Sequence, residues 1–162
     1  MSFAKSDNKK ILGIVPARGG SKGLPKKNIF PLNGHPLISY SIMAGLESNY
    51  IDTVVVSSED TEILEIAGNY GAVTINRPPE LATDTASMQK VIAHAIESTN
   101  QPEEDYDLVV LLQPTSPLRK STHIDEALEL LKKSDAGSLI SVCTLEKSLY
   151  KCFVRNSSGY LE

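Results

Sequence analysis

At 162 residues, with 41% hydrophobic residues and a formal charge of −4, the chain is sized for one domain around one core. The charge is lopsided: residues 1–46 carry seven cations and one acid, residues 47–162 nine cations and nineteen acids. A nucleic-acid binder would spread Lys and Arg over a whole face, which this acidic chain does not do; a local cationic island points instead to a small anion held at one place. Cys143 and Cys152 have neither metal-ligand nor disulfide-framework spacing, and three scattered histidines do not complete a zinc site. No stretch approaches the ~18 apolar residues of a membrane span, and the apolar run after "MSFAKSDNKK" is too short for a signal sequence. The expected setting is the cytoplasm, with no membrane partner.

In chain order, "ILGIVPA" (11–17) reads as a buried strand, followed by a loop that ends in the turn signals of "FPLNGHP" (30–36). Residues 37–48 have helical apolar spacing with Pro36 at the start, and "DTVVVSS" (52–58) is a second buried strand. "EDTEILEIAGNYG" (59–71) predicts a helix with acids in its first turn and Gly71 at its stop. "AVTINRP" (72–78) is a short strand, 86–99 a helix, and "LVVLLQP" (108–114) the most apolar strand. "STHIDEALELLKK" (121–133) is an amphipathic helix capped by Ser121 or Thr122, and "SLISVCTL" (138–145) a fifth strand. The alternation implies an α/β fold with a mostly parallel sheet and helices on both faces. His35, His94 and His123 fall in turns or on helix faces and are not expected to be catalytic.

Ligands of such sheets collect beyond the carboxyl ends of the strands. "VPARGGSKGLPKKN" (15–28) lies at the end of the first strand, with Arg18, Lys22, Lys26 and Lys27 among Gly19, Gly20 and Gly23 and no acid. Glycine lets backbone N–H groups turn toward an anion. Arg18 can grip a phosphate with two N–H groups, whereas Lys22 and Lys27 act as point charges. The alternative is a solvated loop. Neither a Walker A loop nor a dinucleotide fingerprint can be threaded through it, and the next helix starts more than ten residues on, so no helix dipole caps the phosphate directly. A long Lys-rich loop fits a nucleotidyltransferase that straddles a triphosphate.

"PARGGSKGLPKKN", "RPPELATDTAS" (77–87) and "LLQPTSPLR" (111–119) resemble, in order and spacing, three motifs of the acylneuraminate cytidylyltransferases, the CMP-sialic acid synthetases. The resemblance implies a Rossmann-like fold of the nucleotide-diphospho-sugar transferase type. It also implies transfer of CMP from CTP to the anomeric 2-hydroxyl of a nonulosonic (sialic acid-like) 2-keto sugar acid, with release of pyrophosphate and usually with Mg2+. By the same resemblance Arg18, Gly20, Ser21, Lys22 and Lys27 hold the CTP phosphates, with Arg18, Lys22 and Lys27 neutralising charge in the transfer, and Asn28 lies near ribose and phosphates. Arg77, Asp84, Ala86 and Ser87 would read cytosine and ribose, Gln113 would sit at the nucleotide–sugar junction, and Lys151 would contact the sugar carboxylate. Plainer alternatives are a surface ion pair for Arg77, a helix cap for Asp84 and a strand-end surface amide for Gln113. Arg119 would support the site by pairing with an acid or with carbonyls, while Pro114 and Pro117 shape their loop.

In the family the metal carboxylates come from a D-x-D pair well beyond residue 162. The "DYD" triplet (105–107) precedes its strand, at the wrong end of the sheet for that role, so no metal ligand is identifiable in this sequence. The expectation is a single nucleotide-binding domain over 1–162 that lacks the C-terminal part. In the family that part supplies most sugar contacts, the metal pair and an extension swapped within a homodimer. A KDO-type cytidylyltransferase is the nearest rival, but it would carry an acid where Thr115 stands; legionaminate- and pseudaminate-type enzymes share the motifs. A truncated CTP-binding module without full activity is the alternative from another class.

Overall fold

The computed structural model describes residues 9–21, 23–99 and 105–142. Its first element is β1, Ile11–Pro16, six residues that are buried without exception. A long loop leads to a two-stranded hairpin, β2 (Pro31–Leu32) and β3 (His35–Pro36), turned by Asn33 and Gly34 at φ 48° and 85°. Two successive left-handed residues suit a tight hairpin turn, and Asn-Gly tolerates them best. The turn signals were legible here; the hairpin they close was not. Helix α1 (Leu37–Leu46) follows, with Pro36 as the residue before its first turn, where an absent N–H leaves no helical bond unmade.

Next come β4 (Thr53–Ser58), α2 (Thr61–Asn69) and β5 (Val73–Asn76). Asp60 caps α2 by accepting the backbone N–H groups of Glu62 (2.9 Å) and Ile63 (3.3 Å). Gly71, at φ 89°, closes the far end, a backbone conformation that a residue with a Cβ rarely adopts. Helix α3 (Met88–Thr99), strand β6 (Leu108–Leu111) and helix α4 (Ser121–Lys132) complete the described elements.

β1, β4, β5 and β6 form one parallel sheet in the order β5-β4-β1-β6. On one side of β1, Leu12 pairs with Thr53 and Val15 with Val56; on the other, Ile11 pairs with Leu108 and Ile14 with Leu111. Helices α1, α2 and α4 cover one face, where Ile38, Ile42, Ile63 and Ile124 join Ile11, Val15 and Val56. Helix α3 covers the other, where Ala95 meets Leu12, Ile14, Val55 and Ile75. Each buried aliphatic side chain of this kind stabilises by about 1.5–3 kcal/mol. The chain steps outward from β1 to β4 and β5, then returns to the opposite side of β1 for β6. That reversal opens a crevice beyond the carboxyl ends of β1 and β6.

Two expectations are corrected. Ser121 does not cap α4 but is its first helical residue; Lys120, in extended conformation, precedes it and donates its backbone N–H to His123 Nδ1 at 3.3 Å. Residues 138–142, expected to open a fifth strand, have no regular structure, and Ile140 and Val142 are exposed. An apolar β-branched run becomes a strand only against a ladder partner, and among the described residues β6 pairs with β1 alone. The remainder of that expected strand, 143–145, and both cysteines lie outside the described residues.

Helix α1 lies unusually close to the sheet. A Cβ built on Gly45 would sit 2.9 Å from Leu112 Cδ1 and 2.9 Å from Val54 Cγ2, the latter on a stiff β-branched side chain. Gly45→Ala should therefore destabilise the fold by about 1–2 kcal/mol, overpacking outweighing alanine's helix propensity. Urea unfolding decides this, and a more stable variant would contradict the close contact.

Helix α4 is fastened by Asp125, which accepts hydrogen bonds from Ser48 Oγ (2.6 Å), Asn49 Nδ2 (2.7 Å) and Asn49 N (3.1 Å). Burial pushes the Asp125 carboxyl up, but these donors outweigh it and hold the group below the usual carboxylate range. A folded-state value below the unfolded one means that the stabilisation is complete near neutral pH and is lost as pH falls through the folded value. Asp125→Asn should cost about 1 kcal/mol near neutral pH, the deficit shrinking below about pH 4. Denaturant titrations across this range check it; a deficit independent of pH would contradict it.

Candidate functional site

The loop after β1 is built by side chains that reach its backbone. Ala17 N–H extends the ladder to Ser57 O (3.0 Å), and Gly19 N–H donates to Glu59 Oε1 (2.8 Å). A Cβ at Gly19 would lie 2.3 Å from Asp60 Oδ2, so glycine is required there by the start of α2 rather than by a ligand. Around Gly20 and Gly23, by contrast, an added Cβ would meet nothing within 4 Å. Asn28, buried at 6% exposure in the 3-10 turn Lys27–Ile29, donates from Nδ2 to Arg18 O (2.8 Å). Lys26 enters that turn at φ 52° and its ammonium pairs with Glu62 on α2.

Arg77, the residue after β5, is 4% exposed. Its Nη2 donates to Glu59 Oε2 (2.7 Å) and to Ala17 O (3.1 Å), while its buried Nε has no partner among the described residues. Its ion pair is thus an interior one, unlike the surface pair that was the plainer reading. Burial pushes the Glu59 carboxyl up. The hydrogen bonds from Arg77, its own backbone N–H and Gly19 N–H, with the Arg77 charge, prevail and hold it below the usual carboxylate range.

A cavity of about 310 Å³, near the lower end for small-molecule sites, opens at the carboxyl ends of the strands. Arg18, Ser21, Lys27 and Asn28 line it from the first loop, Arg77, Thr83, Asp84 and Ala86 from the segment after β5, and Gln113 and Thr115 from the segment after β6. Met88 and Val91 of α3 add an apolar wall. Arg18 Nη1 reaches across to Asp84 Oδ1 (2.7 Å), tying the first two segments together; both side chains remain more than a third exposed. Asp84 therefore faces an arginine of the first loop; at the start of α3, Ser87 O takes the N–H groups of Lys90 and Val91. Gly20 and Ser87 are not in the cavity lining, and Lys22 and Lys151 lie outside the described residues.

The third segment is anchored from beneath. Gln113 O accepts Ser41 Oγ (3.1 Å) and Arg119 Nη2 (3.2 Å), and Arg119 Nη1 also donates to Ser41 Oγ (3.2 Å). Arg119 thus pairs with a carbonyl and a hydroxyl, one of the two ways expected for it. Burial lowers its pKa from the ordinary guanidinium value.

Sequence reasoning missed Glu59, taking it as the first acid of a helix that in fact starts at Thr61. The available signal was its position directly after the buried strand β4, at the same edge as the cationic loop. Chemically, the cavity offers cationic and amide donors with one described carboxylate, Asp84, already held by Arg18. That lining suits a polyanion and does not by itself suit a divalent cation, which wants oxygen ligands, usually more than one carboxylate. No group of three or more His, Cys, Asp or Glu that could hold a metal occurs among the described residues. Asp107, of the "DYD" triplet, accepts Lys10 N–H (2.9 Å) before β6 begins, at the opposite edge of the sheet. No described helix is long and apolar enough to cross a membrane.

The chain is similar to curated proteins that act on sugar acids. It is 44% identical over 145 residues to an N-acylneuraminate cytidylyltransferase of Escherichia coli, covering 90% of this chain and 30% of that one. It is 39% identical over 151 residues to a pseudaminic acid cytidylyltransferase of Campylobacter jejuni (93% and 65% covered). It is likewise 39% identical over 153 residues to a CMP-N,N'-diacetyllegionaminic acid synthase of Legionella pneumophila (94% and 66% covered). The chain thus spans between about a third and two thirds of the length of these relatives. Among solved structures, CMP:2-keto-3-deoxy-manno-octonic acid synthetase in complex with CTP superposes with a TM-score of 0.64 over 78% of this chain and 49% of the other. At 21% identity that likeness speaks to fold, which is the Rossmann-like α/β fold of nucleotidyltransferases. A cytidylyltransferase family model matches residues 12–153, and the chain belongs to the cytidylyltransferase family.

Proposed function

We propose that this chain binds CTP and carries the nucleotide half of a transfer of CMP to the anomeric 2-hydroxyl of a nonulosonic 2-keto sugar acid, with release of pyrophosphate. The observation that supports the reading most is convergence: the segments 16–28, 77–88 and 113–115, distant in sequence, share one cavity at the carboxyl edge. In the transfer the hydroxyl gives up its proton to solvent as its oxygen bonds to the α-phosphorus and the bond to pyrophosphate breaks, in line. Such chemistry asks the protein for position and charge neutralisation rather than a covalent partner. Arg18 and Lys27, with Lys22, would take the phosphates; Ser21, Gly20 and Asn28 would place phosphate and ribose. The segment Arg77, Asp84, Ala86 and Ser87 would take the cytidine side. Gln113 would stand at the junction, where an amide both donates and accepts, and Lys151 would meet the sugar carboxylate.

The phosphates must draw Arg18 away from Asp84. An exposed pair of this kind is worth about 0–1 kcal/mol, so the exchange is inexpensive. A magnesium ion belongs to the proposal as the triphosphate's own counter-ion, since the described lining supplies no carboxylate pair for it. Which nonulosonic acid is used stays within the group for which the relatives are named, neuraminic, pseudaminic and legionaminic. Thr115 stands in the cavity wall as a hydroxyl, where the KDO-type reading needs an acid. A cytoplasmic setting completes the proposal, with the homodimer belonging to the full-length family form; neither nucleic acid nor membrane enters it.

Nucleotide choice tests the base side. CTP should raise the melting temperature more than ATP, GTP or UTP, since a ligand at a hundredfold excess over its Kd stabilises by about 2.7 kcal/mol. Equal shifts for all four would contradict a cytidine site. Substitution tests the phosphate side. Arg18→Ala should weaken CTP binding by about 1.5–3 kcal/mol and CMP binding less. Lys26→Ala, whose ammonium is occupied by Glu62, should stay within about 0.5 kcal/mol of the parent. Calorimetric titration measures both, and parent-like CTP binding by Arg18→Ala would refute the phosphate assignment.

A further inference from the structure

In the cationic loop, the backbone at and on either side of Arg18 is held from three directions by side chains. Ala17 O, on one side, accepts Arg77 Nη2 (3.1 Å); Gly19 N–H, on the other, donates to Glu59 Oε1 (2.8 Å); and Arg18 O itself accepts Asn28 Nδ2 (2.8 Å). Two of these ties close through a single contact, the pair Arg77 Nη2 to Glu59 Oε2 (2.7 Å). One oxygen of Glu59 thus serves the phosphate loop and the other serves the first residue of the segment 77–87. Both ties are part-buried, where bonds to an ionised group are stronger than in open water.

We propose that Glu59 is a positioning residue that holds Arg18 and Arg77 as one unit, so that the phosphate grip and the cytidine side of the site are set together. The inference rests on the cytidylyltransferase reading above for what the two sides bind. It does not make Glu59 a contact of the nucleotide: its carboxylate is spent on protein donors, and it does not line the cavity. Gly19 N–H, spent on the same carboxylate, is likewise no phosphate donor. The anion must be met by the groups that Glu59 leaves in place.

Glu59 is an acid next to an anion site, and by Coulomb's law alone its neutralisation should tighten phosphate binding. A positioning role requires the reverse. Without the carboxylate, Gly19 N–H and Arg77 lose their shared acceptor, and Arg18 loses the frame on either side.

The test uses the full chain and inorganic tripolyphosphate, cytidine and CTP as separate probes. Glu59→Gln should weaken tripolyphosphate and CTP by about tenfold or more, the value of one hydrogen bond to a charged group, and cytidine several-fold as well. Unchanged or tighter tripolyphosphate binding by the folded variant would overturn the proposal, as would a loss confined to cytidine. Glu59→Asp serves if the glutamine variant fails to fold; it keeps the charge but, a methylene shorter, cannot span both donors, and should show the same loss. An independent reading comes from the unliganded protein: Arg77→Lys should move the Gly19 amide resonance and speed its exchange, although residue 77 does not touch Gly19. A Gly19 amide indifferent to residue 77 would overturn the linkage. If the parent binds tripolyphosphate but treats all nucleotides alike, the cytidylyl reading fails while the Glu59 result still stands or falls on tripolyphosphate. If it binds no probe, both fail.

Discussion

Parallel pairing forces every strand of the sheet to finish at the same edge. β1 lies between β4 and β6 and is paired in parallel register with both, so the connections that leave β1, β4, β5 and β6 must all depart from one side. Everything proposed for the site follows from that constraint. Segments as far apart as Arg18, Arg77 and Gln113 become neighbours without any long-range contact having to search for them. β1 is buried on both faces, Ile11 and Val15 packing under α1, α2 and α4 and Leu12 and Ile14 under α3, so its register is held by the fit of these side chains.

The two edges of the sheet differ in what their polar groups do. At the amino edge, Asp52 accepts Ile11 N–H (2.7 Å) and Asp107 accepts Lys10 N–H (2.9 Å), so the acids there finish the backbone of β1. At the carboxyl edge the part-buried acid Glu59 is consumed by Arg77 and Gly19, and the cations Arg18 and Lys27 face a cavity. An acidic protein can therefore present an anion site, because the described carboxylate that lines the cavity, Asp84, is paired with Arg18, and Glu59 beside it is bonded to Arg77 and Gly19. The net charge describes the surface as a whole, while the site is decided by which charges have partners.

Much of this was legible in the sequence, for identifiable reasons. Uninterrupted apolar runs such as "VVV" in β4 identify strands covered on both faces, and Gly71 announced the end of α2 because only a left-handed residue closes a helix in that way. The cationic loop was legible because charge asymmetry and glycine content coincide at a strand end. What was not legible depended on distance. Glu59 looks like any first-turn helix acid until the chain is folded, when its two oxygens reach residues 40 positions before it and 18 after it. Gly19 looked like a phosphate-loop glycine, yet its lack of a side chain is demanded by Asp60. The run at 138–145 read as a strand from composition alone; its described part, 138–142, has no ladder partner, and composition does not supply one.

The proposed site joins three sequence segments into one cytidine-triphosphate site at the carboxyl edge of a parallel sheet. Amide chemical-shift mapping of the isotopically labelled chain with CTP tests it most directly, with UTP as the control. The expected result is shifts in 16–28, 77–88 and 113–115 that saturate along a single binding curve, with UTP weaker at the 77–88 segment, and quiet resonances around Asp52, Asp107 and Asp125. Shifts confined to one segment, separate curves for different segments, or a response centred on the amino edge would contradict it.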